Sequence, residues 1–166
     1  MAMKMNSLEN LFTETLKDLY DAEHQIITAL PKMADAASSP DLKQGLRQHL
    51  EQTRQQAQRL EQVFSTVNQQ PSRKKCMGME GLIKEGEHHM QELKSDKDIL
   101  DAGLIADAQK VEHYEIAGYG TAKTYAEMLG NKEAARLLDQ TLSEEYATDE
   151  RLTKLAESHI NIEAMK

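Results

Sequence analysis

The segment Val111-Glu112-His113-Tyr114-Glu115-Ile116 constrains this chain most, because it sets two carboxylates on the inner face of a helix. Ile105, Ala108, Glu112, Glu115 and Tyr119 recur at spacings of 3, 4, 3 and 4, the interval at which side chains share one face of an α-helix. That face is otherwise apolar, so Glu112 and Glu115 point inward. A buried carboxylate without a partner is costly enough that it takes up a proton or finds a cation. The rest of the fold has to answer these two acids.

Composition narrows the answer. A length of 166 residues suits one domain with a single core. With 3 Pro, 8 Gly, no β-branched runs and abundant Ala, Leu, Glu, Lys, Gln and Met, the chain is predicted to be all-α with no sheet. A net charge of -8 argues against nucleic acid and anionic membranes as partners, since both want a basic face. Cys76 is the single cysteine, which excludes an internal disulfide and fits a reducing compartment. Residues 1–10 have no apolar leader core, and no stretch approaches the ~18 apolar residues that span a bilayer. The expected location is cytoplasmic.

Four long helices follow from the periodicity. The first starts at Asn6 or Ser7, with Glu9 three residues after Asn6 as in a capping box, and carries Leu8, Leu11, Phe12, Leu16, Leu19, Ile26 and Leu30 inward. Glu23 falls on that seam, and Pro31 is expected to kink or end the helix. Ser38-Ser39-Pro40-Asp41 is a helix-start signal for the second helix. Its seam is Leu42, Leu46, Leu50, Ala57, Leu60 and Phe64, with Glu51 on the flank and Arg54 one turn on. A polar loop over residues 68–75 and a short amphipathic helix over 79–93 then form a long crossover. The third long helix starts near Ser95 to Asp98 and ends at Gly130, and Asn131 caps the fourth. Leu137, Leu138, Thr141, Leu142, Leu152 and Leu155 form the fourth seam, interrupted by Glu145 and Asp149. The tail after His159 is expected to fray, and one domain covers residues 1–166.

In antiparallel helices joined by tight turns, residues equidistant from the turn lie at one height. Glu23 and Glu51 are equidistant from Ala37, while Glu112 with Asp149 and Glu115 with Glu145 are equidistant from the Gly130-Asn131 turn. If the hairpins pack side by side, six carboxylates, Glu23, Glu51, Glu112, Glu115, Glu145 and Asp149, meet in an apolar core. Alone they repel one another, whereas two divalent ions cancel four of the charges. Hard oxygen donors select iron, manganese, magnesium or calcium, and Glu from four helices is the di-iron or di-manganese carboxylate arrangement. Any single helical Glu is usually solvated; the matched heights on both hairpins carry the argument. Among the histidines, His113 points about 100° away from Glu112, and His88 and His89 diverge as neighbours on a helix. His24, His49 and His159 carry no signal. Tyr20 and Tyr119 lie within a turn of the acids, in reach of a hydrogen bond to them, although a structural role is commoner for such a residue.

Several stretches carry a family likeness: Leu19-Tyr20-Asp21-Ala22-Glu23, His49-Leu50-Glu51, Met79-Glu80-Gly81-Leu82-Ile83, the run from Ala108 to Ala117, and Thr148-Asp149. Through them the chain resembles the YciE/YciF-type bacterial stress proteins of the ferritin-like superfamily. The resemblance implies an antiparallel four-helix bundle with one long crossover, a homodimer, a link to stress, and a carboxylate metal site similar to that of rubrerythrins. Ferritin-like sites usually place a His three residues after the second-helix Glu, where this chain has Arg54, and on the fourth helix Thr148 stands three residues after Glu145. Arginine cannot ligate and carries its own charge, so the site holds one metal, holds two weakly, or is a relic clamped by Arg54. By analogy with the superfamily the chemistry is oxidation of ferrous ion by oxygen, or reduction of peroxide. The alternative is a non-enzymatic oligomeric helical stress protein with a degenerate site. The chain has no paired cysteines for rubredoxin-type electron delivery.

Overall fold

Residues 6–166 are described by the structure, a computed structural model; residues 1–5, half of the stretch inspected for a leader, lie outside it. Five helices carry the fold, and no strand occurs among the described residues: α1 (Leu8–Ala36), α2 (Pro40–Thr66), α3 (Met77–Leu93), α4 (Lys97–Met128) and α5 (Lys132–Leu155). Each begins where a side chain accepts from the first turn's amides. Ser7, Ser39, Cys76, Asp96 and Asn131 are the caps, and Pro40 occupies the first position of α2, where a missing N–H costs nothing. At α1 the cap is Ser7, whose Oγ accepts from Asn10 N at 3.2 Å, while Asn6 bonds the Asn10 side chain instead. Gly130 closes α4 at φ 73°, the left-handed conformation that glycine adopts without strain.

Two expectations about helix ends are corrected. α1 runs through Pro31 to Ala36, because the proline ring faces solvent while Leu30, Ala34 and Ala37 bury the opposite side. That burial offsets the hydrogen bond lost at Pro31. The tail after His159 is ordered helix: α5 passes into a π-helical turn, Ala156–Ile160, and a last turn, Asn161–Glu163, held down by buried Ala156 and Ile160.

Neighbouring long helices are antiparallel all round the bundle. Tyr114 reaches Asp18 near the middle of α1 and Asp101 reaches the α1–α2 turn, so α4 runs against α1. Likewise Asn131 contacts Thr66 while Thr148 contacts Gln52, so α5 runs against α2. α3 lies across α1 and α4 as the crossover. The apolar core splits into two layers. One holds Ile26, Leu30, Leu42, Leu46, Leu104, Ile105 and Leu152; the other holds Phe12, Leu16, Leu60, Phe64, Ala126 and Leu138. Between them lies a polar slab. Close packing explains Gly118, since a Cβ there would sit 2.7 Å from Leu19 Cδ2; Gly120 has open space and no such reason.

Candidate metal centre

Each long helix sends side chains into the slab. α1 gives Glu23, between Leu19 and Ile26, and α4 gives Glu112 and Glu115; α5 gives Glu145, and all four are fully buried. α2 gives a row the apolar pattern hides: Leu42, Leu46, His49, Thr53, Gln56, Leu60 and Val63 alternate at spacings of 4 and 3, all buried, with three polar members in the middle.

One ligand atom from each of His49, Glu112, Glu115 and Glu145 lies within 4.8 Å of the others. His49 Nε2 is 2.9 Å from Glu112 Oε1, an ion-pair distance without hydrogen-bond alignment. Glu23 joins from α1, where Tyr119 Oη donates to its Oε1. Gln56 Nε2 donates to Glu145 Oε1 and, at 3.1 Å, to Glu144 Oε2. Arg59 grips Glu144 with two N–H groups at 2.8 and 2.9 Å and donates to Thr141 at 2.7 Å. Thr53 anchors to the His49 carbonyl at 2.8 Å. What remains is a set of buried atoms without a hydrogen-bond partner: Glu23 Oε2, both oxygens of Glu112 and of Glu115, Glu145 Oε2 and His49 Nε2. Buried polar atoms are nearly always satisfied, so these fit a bound cation.

Electrostatics agree. Burial, with the Glu145 charge beside it, pushes the Glu23 carboxyl up to about 8, and burial raises Glu112 to about 7. Glu115 and Glu145 are raised well above the ordinary range by burial, then by the charges of Glu23 and Glu112 respectively. Burial lowers His49, which keeps its imidazole neutral and able to ligate.

Four of the six acids expected from the sequence, Glu23, Glu112, Glu115 and Glu145, come together in the slab. Glu51 does not: its side chain is 63% exposed and pairs on the surface with Arg54, itself 53% exposed, at 3.4 Å. The expected pairing of Glu23 with Glu51 is therefore corrected. The inward side of α2 follows the row through His49, Thr53 and Gln56, which puts Glu51 on the outer side. Arg54 consequently has no contact with the cluster and does not compete with a cation there. Asp149 lies at the rim, 21% exposed, accepting from Gln109 at 3.0 Å and facing His113 Nε2 at 3.2 Å. Tyr20 donates to Glu61 at 2.8 Å rather than to the acids, whereas Tyr119 does reach Glu23. His88 and His89 diverge, to Glu92 at 3.2 Å and Asp107 at 3.0 Å. His49 is the residue that pattern reading passed over. Continuing the alternation of 4 and 3 from Leu46 to Leu60 through polar residues finds it.

Dinuclear carboxylate bundles take a Glu from each of two helices and a Glu-x-x-His pair from each of the other two. Here α2 carries Thr53 and Gln56 at that spacing and α5 carries Glu145 and Thr148. The nitrogen comes from His49 one turn away, so four carboxylates and one imidazole are the groups that could hold a cation here.

Comparison with known proteins gives the family and the fold. The family described as "Domain of unknown function (DUF892)" matches residues 7–165. Protein YciF of Escherichia coli (strain K12) is 47% identical over 163 residues, 98% of this chain and 98% of that protein. The crystal structure of the E. coli stress protein YciF superposes with a TM-score of 0.90 at 47% identity, covering 95% of this chain and 99% of that one. YcfI of Rhodopseudomonas palustris, for which a structural role has been suggested, superposes with a TM-score of 0.89 at 45% identity, over 92% and 97% of the two chains.

Proposed function

The chain belongs to the DUF892 family, and from that premise and its buried donor cluster we propose that it is a stress-associated, ferritin-like metalloprotein holding two iron or manganese ions. The observation that carries this reading is the convergence of His49, Glu112, Glu115 and Glu145, Glu23 alongside, with buried oxygen and nitrogen atoms that have no hydrogen-bond partner. Two divalent ions balance the four carboxylates. Bound iron would supply reversible one-electron chemistry, as in oxidation of ferrous ion by oxygen or reduction of peroxide. The chain's own groups set the stage. Tyr119 and Gln56 fix the rotamers of Glu23 and Glu145, leaving their second oxygens free. The apolar layers on either side exclude water, and carboxyls raised toward neutral pH take up or release protons as ions leave or arrive. The same reading has the protein work as a cytoplasmic homodimer; no described helix is long and apolar enough to cross a membrane.

The test is metal content by mass spectrometry of protein purified without a metal-affinity tag, before and after anaerobic addition of ferrous ion. Two ions per chain are expected, and the Glu112→Ala/Glu145→Ala double variant should retain neither. Unchanged metal content in that variant removes the assignment.

A second reading is favoured by Thr53 and Gln56, neutral side chains where an α2 Glu-x-x-His pair would stand. It holds that the acids are satisfied by protons and that the protein is a non-enzymatic helical scaffold. In that case stripping metal leaves the melting temperature unchanged.

A further inference from the structure

His49 does more than face the acids: it also forms the inner wall of a cavity outside the polar slab. Ile26 and Leu30 of α1, Leu82 and Ile83 of α3 and Val111 of α4 line the rest, and the space is about 30 Å³. A water needs roughly 10–15 Å³ measured this way, so about 30 Å³ has room for two or three waters or one diatomic molecule. Its charged neighbours are paired with one another at the mouth. Lys32 bonds Glu87 at 2.9 Å, and Asp107 is shared by His89 at 3.0 Å and Lys110 at 3.3 Å. The Lys32–Glu87 and His89–Asp107 pairs, with Lys110 to Glu85 at 2.9 Å, tie α3 to α1 and α4 beside the cavity. On the opposite side of His49 a second cavity of about 60 Å³ lies between α2 and α5, bordered by Thr148 and Arg151. His49 thus borders two chambers, the first oily, walled mainly by aliphatic side chains with ion-paired groups at its edge, and the second walled by leucines with Thr148 and Arg151.

We propose that the oily chamber is a binding site for dioxygen, delivered to the His49 side of the cluster, and that α3 is its roof. The inference rests on the metal reading of the core and names the oxidant class for it. A small, uncharged molecule without hydrogen-bonding demands gains by leaving water for such walls. Water and hydrogen peroxide lose hydrogen bonds against the aliphatic walls, where His49 offers one imidazole and Lys32, Glu87 and Asp107 are engaged in ion pairs. The reaction served is balanced as two ferrous ions each giving one electron to one dioxygen, which takes two protons and leaves as hydrogen peroxide.

Xenon, an apolar probe, tests the chamber without reference to metal. Crystals of the metal-free protein under xenon pressure are expected to show the atom between Ile83 and His49. Ala29→Leu, which extends a lining side chain into the space, should exclude it. Ile83→Ala should raise its occupancy. In iron-loaded protein, Ala29→Leu is expected to lower the ratio of oxygen-driven to peroxide-driven ferrous oxidation at least fivefold, and Ile83→Ala to leave it at or above the wild-type ratio. Absence of xenon from the wild-type chamber overturns the proposal, as does an unchanged ratio in Ala29→Leu. If Ala29→Leu does not fold, Ile83→Ala decides alone: higher xenon occupancy supports the site and unchanged occupancy overturns it. The two failures differ in pattern. Xenon in place with no iron retained removes the metal reading and with it the role at His49; two irons bound with no xenon removes the chamber's role only.

Discussion

At the scale of single residues, the cost of gathering acids in a dry slab appears as protons held at neutral pH. Without a cation, Glu112 and Glu23 titrate at about 7 and about 8, against 4.5 in an open chain. Between those values the folded chain binds more protons than the unfolded one, so the stability these groups contribute is complete below pH 4.5 and is lost as pH rises through 7 to 8. Urea midpoints of chelated protein should therefore fall between pH 5 and pH 8.5. The Glu23→Gln/Glu112→Gln variant should flatten that decline, because neither amide titrates; an equally steep decline in the variant would assign the pH dependence to other groups. Legibility at this scale depended on hydropathy. Glu23, Glu112, Glu115 and Glu145 stood out as acids breaking apolar seams. His49, Thr53 and Gln56 were hidden because three polar residues in succession on one helix face read as surface, although their alternation with Leu46 and Leu60 kept heptad order. Glu51 was drawn in by its nearness to that row in number, and a helix turns by about 100° per residue.

Helix ends and packing faces belong to the scale of elements. The α1–α2 turn is clamped by Asp101 of α4, whose two oxygens accept from Ser38 N and Ser39 N at 2.7 Å each. Hydrogen bonds to a buried charge contribute about 1.5–3 kcal/mol each, so Asp101→Ala should cost about 3–6 kcal/mol in chemical denaturation; a loss under ~1 kcal/mol would mean that the turn holds itself. The two glycines inside α4 separate packing from propensity. Gly118→Ala meets Leu19 and should destabilise by about 1–3 kcal/mol as an overpacked contact. Gly120→Ala meets nothing and should stabilise by up to ~1 kcal/mol. Equal melting temperatures for the two variants would refute the distinction. Helix starts were readable because caps are local chemistry. The passage of α1 through Pro31 and the docking of the last turn through Ile160 were not, since both are decided by burial against distant helices.

For the molecule as a whole, the arrangement of the long helices followed from turn lengths and one crossover, and height matching brought Glu115 and Glu145 together, whereas it paired Glu23 with the exposed Glu51 and Glu112 with Asp149 at the rim. A cation that binds only the folded state stabilises it by mass action, about 2.7 kcal/mol at a hundredfold excess over the dissociation constant. Chelation should accordingly lower the melting temperature by several degrees, and restoring ferrous ion or manganese should recover it. An unchanged melting temperature after complete chelation would favour the proton-satisfied scaffold.

The crossover also divides the site in time. α1 and α2, with Glu23 and His49, leave the ribosome before the loop of residues 67–76, while Glu112, Glu115 and Glu145 follow on the second hairpin. Each hairpin can zip through its own short turn, but the first carries a single acid and one imidazole, too few to retain a cation. If the cluster is loaded as proposed, loading can come only after the second hairpin has docked, and a chain released before α5 would lack Glu145 and could not complete the cluster.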